Sequence, residues 1–402
     1  MKTYEEINEK IKQGKAVVVT ADEVCDLAGS EGIKAVAEKV DVVTTATFGP
    51  MCSSGVFLNF GHADPPIKMH KVWLNDVPAY ASLAAVDAYL GATAISDTKY
   101  LEYGGAHVIE DLLAGKTIHL EAEGYKTDCY PAERVTAEIT LESLNQAILL
   151  NPRNAYQNYS AATNSSLRTL HTYMGTLLPK FGNVAYSTSG QLNPLMNDPE
   201  YRTIGFGTKI FLGGGIGYIL GEGTQHNPNQ IRGGNKVPLS SAATLMLKGD
   251  LKQMNARYLR GATIKNYGVS LMVGIGIPIP VLDEGIAEAV SVRDKDIYTT
   301  IYDYSVEKLS KPTYGRVSYK ELRSGSVQIN GNRVPANPVA SLFMAREIAS
   351  VLKEWITRGE FFLVEPIQLL PRDTRFKPLP LNTGETPVLP KKGGSKKDGS
   401  TL

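Results

Sequence analysis

Cysteine is scarce: Cys25, Cys52 and Cys129 are the three thiols in 402 residues. An odd, sparse set in a chain this long is not a disulfide framework, and it points to a reducing compartment where a thiol is kept for burial, metal or reactivity. No Cys-x-x-Cys pair occurs, so neither a Cys₄ cluster nor a zinc site can be built from this chain alone. The six histidines show no His-Glu-x-x-His spacing, and no metal site is expected. Charge of one sign is also lacking, with 42 Lys and Arg against 41 Asp and Glu. That balance exerts no long-range pull toward nucleic acid or an anionic membrane. No apolar run approaches the roughly 18 residues of a membrane span. The start, Met1-Lys2-Thr3-Tyr4-Glu5-Glu6, has no apolar segment of a secretory signal. The expectation is a soluble, cytoplasmic protein without a fixed-period repeat.

What is present is an ordinary globular composition, 43% apolar, with room for a substantial core. Tyr4, Ile7 and Ile11 recur at helical spacing over residues 1–14. Residues 16–20 read as a buried strand, and Thr20-Ala21-Asp22-Glu23 as a capping box opening a helix. Residues 41–48 are β-branched and strand-like. The spacing predicts helices over 78–90, 141–150 and 337–357, and strands over 93–95, 116–122, 133–140 and 325–329. Residues 203–223 hold eight glycines, and 267–280 form a second run punctuated by Gly and Pro. Together these predict an α/β fold with mixed sheets, flanking helices and a glycine-rich central region. The domain is expected to span 1–377, with a division into two lobes near 150 left open. A flexible tail rich in Lys, Gly and Pro is expected over 378–402.

Cys52 lies on the loop Gly49 to Gly55, directly after a strand. Loop glycines let backbone N–H groups turn toward a thiolate, the reactive species; an inert cysteine in a tight turn is the bland alternative. Cys129 sits in a polar turn where Lys126 and Arg134 would favour the thiolate and Asp128 would oppose it. Cys25, on a helix among acids, reads as structural. His62, ten residues beyond Cys52, is a candidate acid or base, against the plainer reading of a surface histidine. Gly213, Gly214 and Gly215 follow a strand as an anion-binding loop would, but complete neither a dinucleotide fingerprint nor a P-loop. Tight backbone packing competes with a carboxylate nest there. Arg232, before Gly233-Gly234, is a candidate for an acidic substrate.

The segments Thr44 to Gly55, Lys126 to Pro131, and the glycine run Phe211 to Gly223 with Thr224-Gln225-His226 resemble the homocysteine biosynthesis family. These are the L-aspartate semialdehyde sulfurtransferases of methanogens and some anaerobic bacteria. The similarity covers residues 1 to about 375; the paired cysteine motifs carry its specificity. Many archaeal members continue into a pair of CBS domains, which this sequence lacks, so adenine-nucleotide regulation through such modules is not expected. The resemblance implies that sulfide sulfur is loaded on a cysteine as a persulfide and delivered reductively to L-aspartate semialdehyde, giving L-homocysteine. It implies Cys129 as the persulfide carrier and Cys52 as the resolving thiol. A ferredoxin-like iron–sulfur protein would bring electrons from outside, with no cofactor bound by this chain. Self-association is compatible with this reading. A non-catalytic persulfide carrier in sulfur trafficking and an unrelated thiol-dependent lyase are the competing classes.

Overall fold

A computed structural model describes residues 1–374 together with 377, 379 and 380. The tail expected over 378–402 lies almost wholly outside the described residues. Helix α1 (Tyr4–Lys12) buries Ile7 and Ile11 and is closed by a Thr3–Glu6 capping box. Strand β1 (Val18–Thr20) runs straight into α2 (Ala21–Glu31) through the Thr20–Glu23 box expected from the sequence. Then come α3 (Ile33–Lys39), β2 (Val42–Pro50), β3 (Gly55–Asn59), β4 (Met69–Leu74), β5 (Val77–Ala79), β6 (Asp87–Gly91) and α4 (Gly105–Leu113). The chain continues through β7 (Ile118–Gly124), β8 (Arg134–Ile139), β9 (Gln146–Asn154), β10 (Ala161–Thr163) and β11 (Val184–Tyr186). Next are β12 (Lys209–Leu212), β13 (Gly215–Glu222), β14 (Leu245–Asp250), β15 (Leu259–Ile264), β16 (Gly268–Pro280) and α5 (Glu284–Val290). The last elements used below are β17 (Tyr298–Asp303), β18 (Thr313–Ser318), β19 (Ser326–Ile329), β20 (Asn332–Pro338) and α6 (Leu342–Thr357).

The main sheet has ten strands in the order β1-β2-β16-β12-β13-β14-β9-β3-β6, with β15 paired to β16. β1 and β2 are parallel, and β2 pairs antiparallel with β16 over its whole length. A four-stranded sheet runs β8-β7-β4-β5, and a six-stranded one β18-β17-β10-β11-β20-β19. The architecture is mixed α/β, as expected.

Alternation along β16 explains how the layers stack. Val273, Ile275 and Ile277 face one core with α4 and the four-stranded sheet. Gly274 and Gly276 face the other side, where α6 crosses. A Cβ on Gly274 would lie 2.8 Å from Ile348, and one on Gly276 3.1 Å. Glycine there, opposite Ala46 of β2, lets the helix rest on the backbone. Ile348, Ala349 and Leu352 then join α1, α2, α3 and α5 in the second core.

Two expected helices are strands. Residues 78–90 hold β5 and β6; Ala88 and Leu90 alternate inward, and Tyr80 bridges Tyr89. Period 2 prevails over the helix signal of Pro78. Residues 141–150 lead into β9, which is paired on both edges, with β14 and β3. Sheet pairing overrides the helix propensity of its leucines. Residue 150 falls inside this strand. The glycine run resolves into a hairpin: Gly213 and Gly214, at φ 61° and 98°, turn β12 back into β13, a conformation that side chains disfavour. Among the described residues no helix is long and apolar enough to cross a membrane.

Candidate active site

β2 delivers Cys52 to a cavity. Its threonines and valines are buried among neighbours on both edges, so its end is held rigidly. The ladder continues through Met51 N–H to the Leu271 carbonyl at 2.8 Å. The chain then turns tightly, with Ser54 N–H donating to the Met51 carbonyl at 3.0 Å. Ser53 Oγ donates to Asn151 Oδ1 at 3.0 Å and to the Arg153 carbonyl at 2.8 Å. Asn151 in turn donates to Ser54 Oγ, and to Asn154 Oδ1 at 2.6 Å. The cysteine turn is thereby fastened to an irregularity in β9, where the register shifts between Asn151 and Asn154. Such bulges re-aim side chains, and here the re-aimed residue is Arg153.

The expected glycine nest around Cys52 does not form. Gly49 is an ordinary ladder residue of β2 opposite Val273. Gly55 is needed for close packing, since a Cβ there would meet Tyr89 at 2.3 Å. The partner of the Cys52 sulfur is instead the hydroxyl of buried Ser270, 3.2 Å away.

The cavity has a volume of about 350 Å³. Cys52, Arg153 and Tyr267 line it and also a more open outer recess formed with Thr93, Ile95 and Val269. Tyr156, Tyr159 and Tyr173 wall the inner side; Tyr156 meets Tyr159 edge-on at 4.7 Å. The hairpin of strands Leu170–Thr172 and Gly175–Leu177 carries Tyr173, whose hydroxyl bonds that of Tyr304 at 2.6 Å. Burial, then the neighbouring phenols Tyr173 and Tyr304, pushes the Tyr159 hydroxyl far up. Burial likewise raises Tyr267, and the nearby Cys52 and Tyr173 act in the same direction. Burial also raises Tyr156 against the lowering effect of Arg153. These phenols stay neutral and able to donate hydrogen bonds. Ala155, Thr188 and Gln225, all lining the cavity, have φ of 46°, 68° and 63°. For β-branched Thr188 that is a costly conformation of the kind that clusters at working sites. No Asp or Glu lines the cavity, and Arg153 is its one formal charge among the described residues.

The other expected residues lie elsewhere. Cys129 is exposed at the tip of the turn joining β7 to β8, where Thr127 and Tyr130 exchange backbone hydrogen bonds of 3.1 Å. The cations expected to favour its thiolate are engaged: Lys126 pairs with Glu133 at 3.5 Å, and Arg134 with Glu121. His62 is exposed and stacks at 6.3 Å on Tyr130, so it accompanies Cys129. Cys52 precedes the first residue of β3 and His62 follows the last, so about 13 Å of strand separates the two ends. Cys52 and Cys129 are both free thiols, and Cys129 lines neither cavity that Cys52 lines; a disulfide between them would need their Cα atoms within roughly 7 Å. Gly213 donates to the Gly274 carbonyl at 2.8 Å, and Gly213, Gly214 and Gly215 pack on Leu259, Tyr258 and Gln253, away from the cavity. Arg232 is spent on the carbonyls of Pro199, Pro228 and Lys236 and the hydroxyl of Tyr201. Cys25 is buried, its thiol donating to the Val292 carbonyl at 3.3 Å. Among the described residues no group of three His, Cys, Asp or Glu side chains is placed to hold a metal ion.

Together the residues offer a thiol nucleophile, neutral donors for an oxygen gaining charge, and one cation. That set suits attack by sulfur on the carbonyl of a small molecule that carries a carboxylate.

The chain is 55% identical over 372 residues to the L-aspartate semialdehyde sulfurtransferase of Methanosarcina acetivorans, covering 92% of this chain and 72% of the relative. It is 55% identical over 387 residues to the protein of that name in Methanocaldococcus jannaschii, covering 92% and 74%. An uncharacterized protein of Methanothermobacter thermautotrophicus is 30% identical over 333 residues. No solved structure matches the chain. The family model described as homocysteine biosynthesis enzyme, sulfur-incorporation, matches residues 16–363, and the chain belongs to that family.

Proposed function

We propose that this enzyme transfers sulfur to the aldehyde carbon of L-aspartate semialdehyde at the Cys52 cavity, forming L-homocysteine. The observation that carries the reading is the grouping of Cys52, neutral tyrosine hydroxyls and Arg153 in one small cavity. The names of the two curated relatives support the substrate. Overall, one hydrogen sulfide (H₂S), two electrons and two protons convert the aldehyde to the thiol, and its oxygen leaves as water.

In this reading the order of the two thiols is the reverse of that implied by resemblance. Cys52 carries the sulfur that meets the aldehyde. Hydrosulfide attacks a disulfide of Cys52, leaving the persulfide on Cys52 and releasing the partner thiol. The outer sulfur adds to the aldehyde carbon while a tyrosine hydroxyl donates to the oxygen. A second thiol then attacks the Cys52 sulfur, restoring the disulfide and releasing the hydroxythiol. Loss of water gives a thioaldehyde, which two electrons and two protons reduce to homocysteine. An external ferredoxin-like iron–sulfur protein supplies those electrons. Cys129 is the exchanging thiol and meets Cys52 by movement of its hairpin or from a second copy of the chain.

The test is incubation of the protein with L-aspartate semialdehyde, sulfide and a low-potential reductant. Homocysteine should form with the wild type and fall to background with Cys52→Ser. Sulfur loading without aldehyde consumption would instead leave a persulfide carrier.

A further inference from the structure

We infer that Arg153 is the carboxylate anchor of this cavity, binding the carboxylate of a short-chain substrate beside the Cys52 sulfur. The inference concerns the same site as the proposed sulfur transfer, and its naming of aspartate semialdehyde as the ligand rests on that reading. Arg153 is half-buried and lines both the inner cavity and the outer recess with Cys52. Its backbone is fixed on both sides, by its N–H to Asn151 Oδ1 at 3.0 Å and by Ser53 Oγ on its carbonyl at 2.8 Å. Its side chain is not: among the described residues the guanidinium makes no ion pair and no hydrogen bond. Arg232 shows the contrast, with five protein acceptors around its guanidinium.

A partly desolvated guanidinium without a counter-ion, in a cavity without a carboxylate, calls for an anion from outside. Its planar fork matches a carboxylate through two parallel hydrogen bonds. The cavity volume, at the lower end for ligand sites, restricts the occupant to a small molecule. No acidic side chain is present to hold an ammonium group. The carboxylate is therefore the feature by which the site selects, and a cationic substrate would be excluded.

Site-resolved alkylation tests this without turnover. Iodoacetate carries a carboxylate and iodoacetamide does not, so the ratio of their rates at one cysteine reports a nearby anion site. In the wild-type protein this ratio at Cys52 should exceed that at exposed Cys129 by about tenfold, the equivalent of about 1.4 kcal/mol. Arg153→Met should bring the Cys52 ratio down to that of Cys129, and Arg153→Lys should restore part of it. In turnover, both variants should raise KM for aspartate semialdehyde more than they lower kcat. A Cys52 ratio unchanged in Arg153→Met, with the thiol still reactive, overturns the anchor. A ratio that depends on Arg153 in a protein that never consumes aspartate semialdehyde upholds the anchor and removes the proposed reaction instead. An unaltered KM in an active Arg153→Met enzyme upholds the reaction and removes the anchor.

Discussion

The Cys52 sulfur and the Ser270 hydroxyl lie 3.2 Å apart, joining the end of β2 to the start of β16. Ser270 is wholly buried, so its hydroxyl has few partners other than this sulfur, and a hydroxyl can donate to a thiolate. A hydrogen bond to a charged group contributes about 1.5–3 kcal/mol. Replacing Ser270 with Ala should therefore slow alkylation of Cys52 by iodoacetamide at neutral pH about tenfold, while Cys129 reacts as before. Equal rates at Cys52 in the two proteins would mean that the hydroxyl does not feed the reactivity of the thiol.

Cys129 is predicted to be replaceable in a way that Cys52 is not. It stands exposed on a hairpin turn, outside both cavities that Cys52 lines. Its proposed task is thiol exchange, which a small molecule can perform. Cys129→Ser should lose most multiple-turnover activity in sulfide and reductant, and recover much of it when a low-molecular-weight thiol is added. Cys52→Ser should not be rescued. Rescue of the Cys52 variant, or none of the Cys129 variant, would return the sulfur-carrying role to Cys129.

What could be read in advance was local. The thiol at 52 stood out because a β-branched strand ran directly into a loop carrying it, and the Thr20–Glu23 box marked its helix correctly. The burial of Cys25 followed from its helical setting. The rest of the site was illegible because it is assembled across the chain: Ser270 is 218 positions from Cys52, and Ser53 meets Asn151 across 98. Arg153 is not legible in the sequence because residues 141–150 read as a helix, and only the irregularity in β9 places it in the cavity with the thiol. The break Asn151-Pro152-Arg153-Asn154 after an apolar run was the signal available. Glycine serves backbone packing here, one of the two readings that its central run allows. At 213 and 214 it makes a hairpin, and at 55 it makes room for Tyr89.

The seat of α6 on β16 should tolerate no side chain. A Cβ on Gly274 would approach Ile348 Cδ1 to 2.8 Å and the Tyr258 carbonyl to 3.3 Å. Overpacking of this kind costs about 1–3 kcal/mol. Gly274→Ala should lower the thermal midpoint by several degrees. In an Ile348→Val background, where the tip that clashes is gone, the additional loss should shrink, because contacting sites do not add. Full additivity of the two changes would show that helix and strand are not packed as described.

Cys25 gives the clearest dependence on pH. Burial pushes its thiol up to about 12, against a smaller lowering by Arg293; an unfolded cysteine ionises near 8.5. Between those values the native state holds a proton that the unfolded state has released. Its contribution is fully present below about 8.5 and is lost as pH rises toward 12, since stability falls wherever the native state binds more protons. Denaturant midpoints should therefore decline more steeply between pH 8.5 and 10.5 in the wild type than in Cys25→Ala, although the variant starts lower for want of the buried sulfur. Over the same range iodoacetamide should label Cys52 and Cys129 in the native protein and leave Cys25 untouched until denaturant is added. Prompt labelling of Cys25 at pH 9 without denaturant would place that thiol in reach of solvent, and the steeper decline would then have to come from another group.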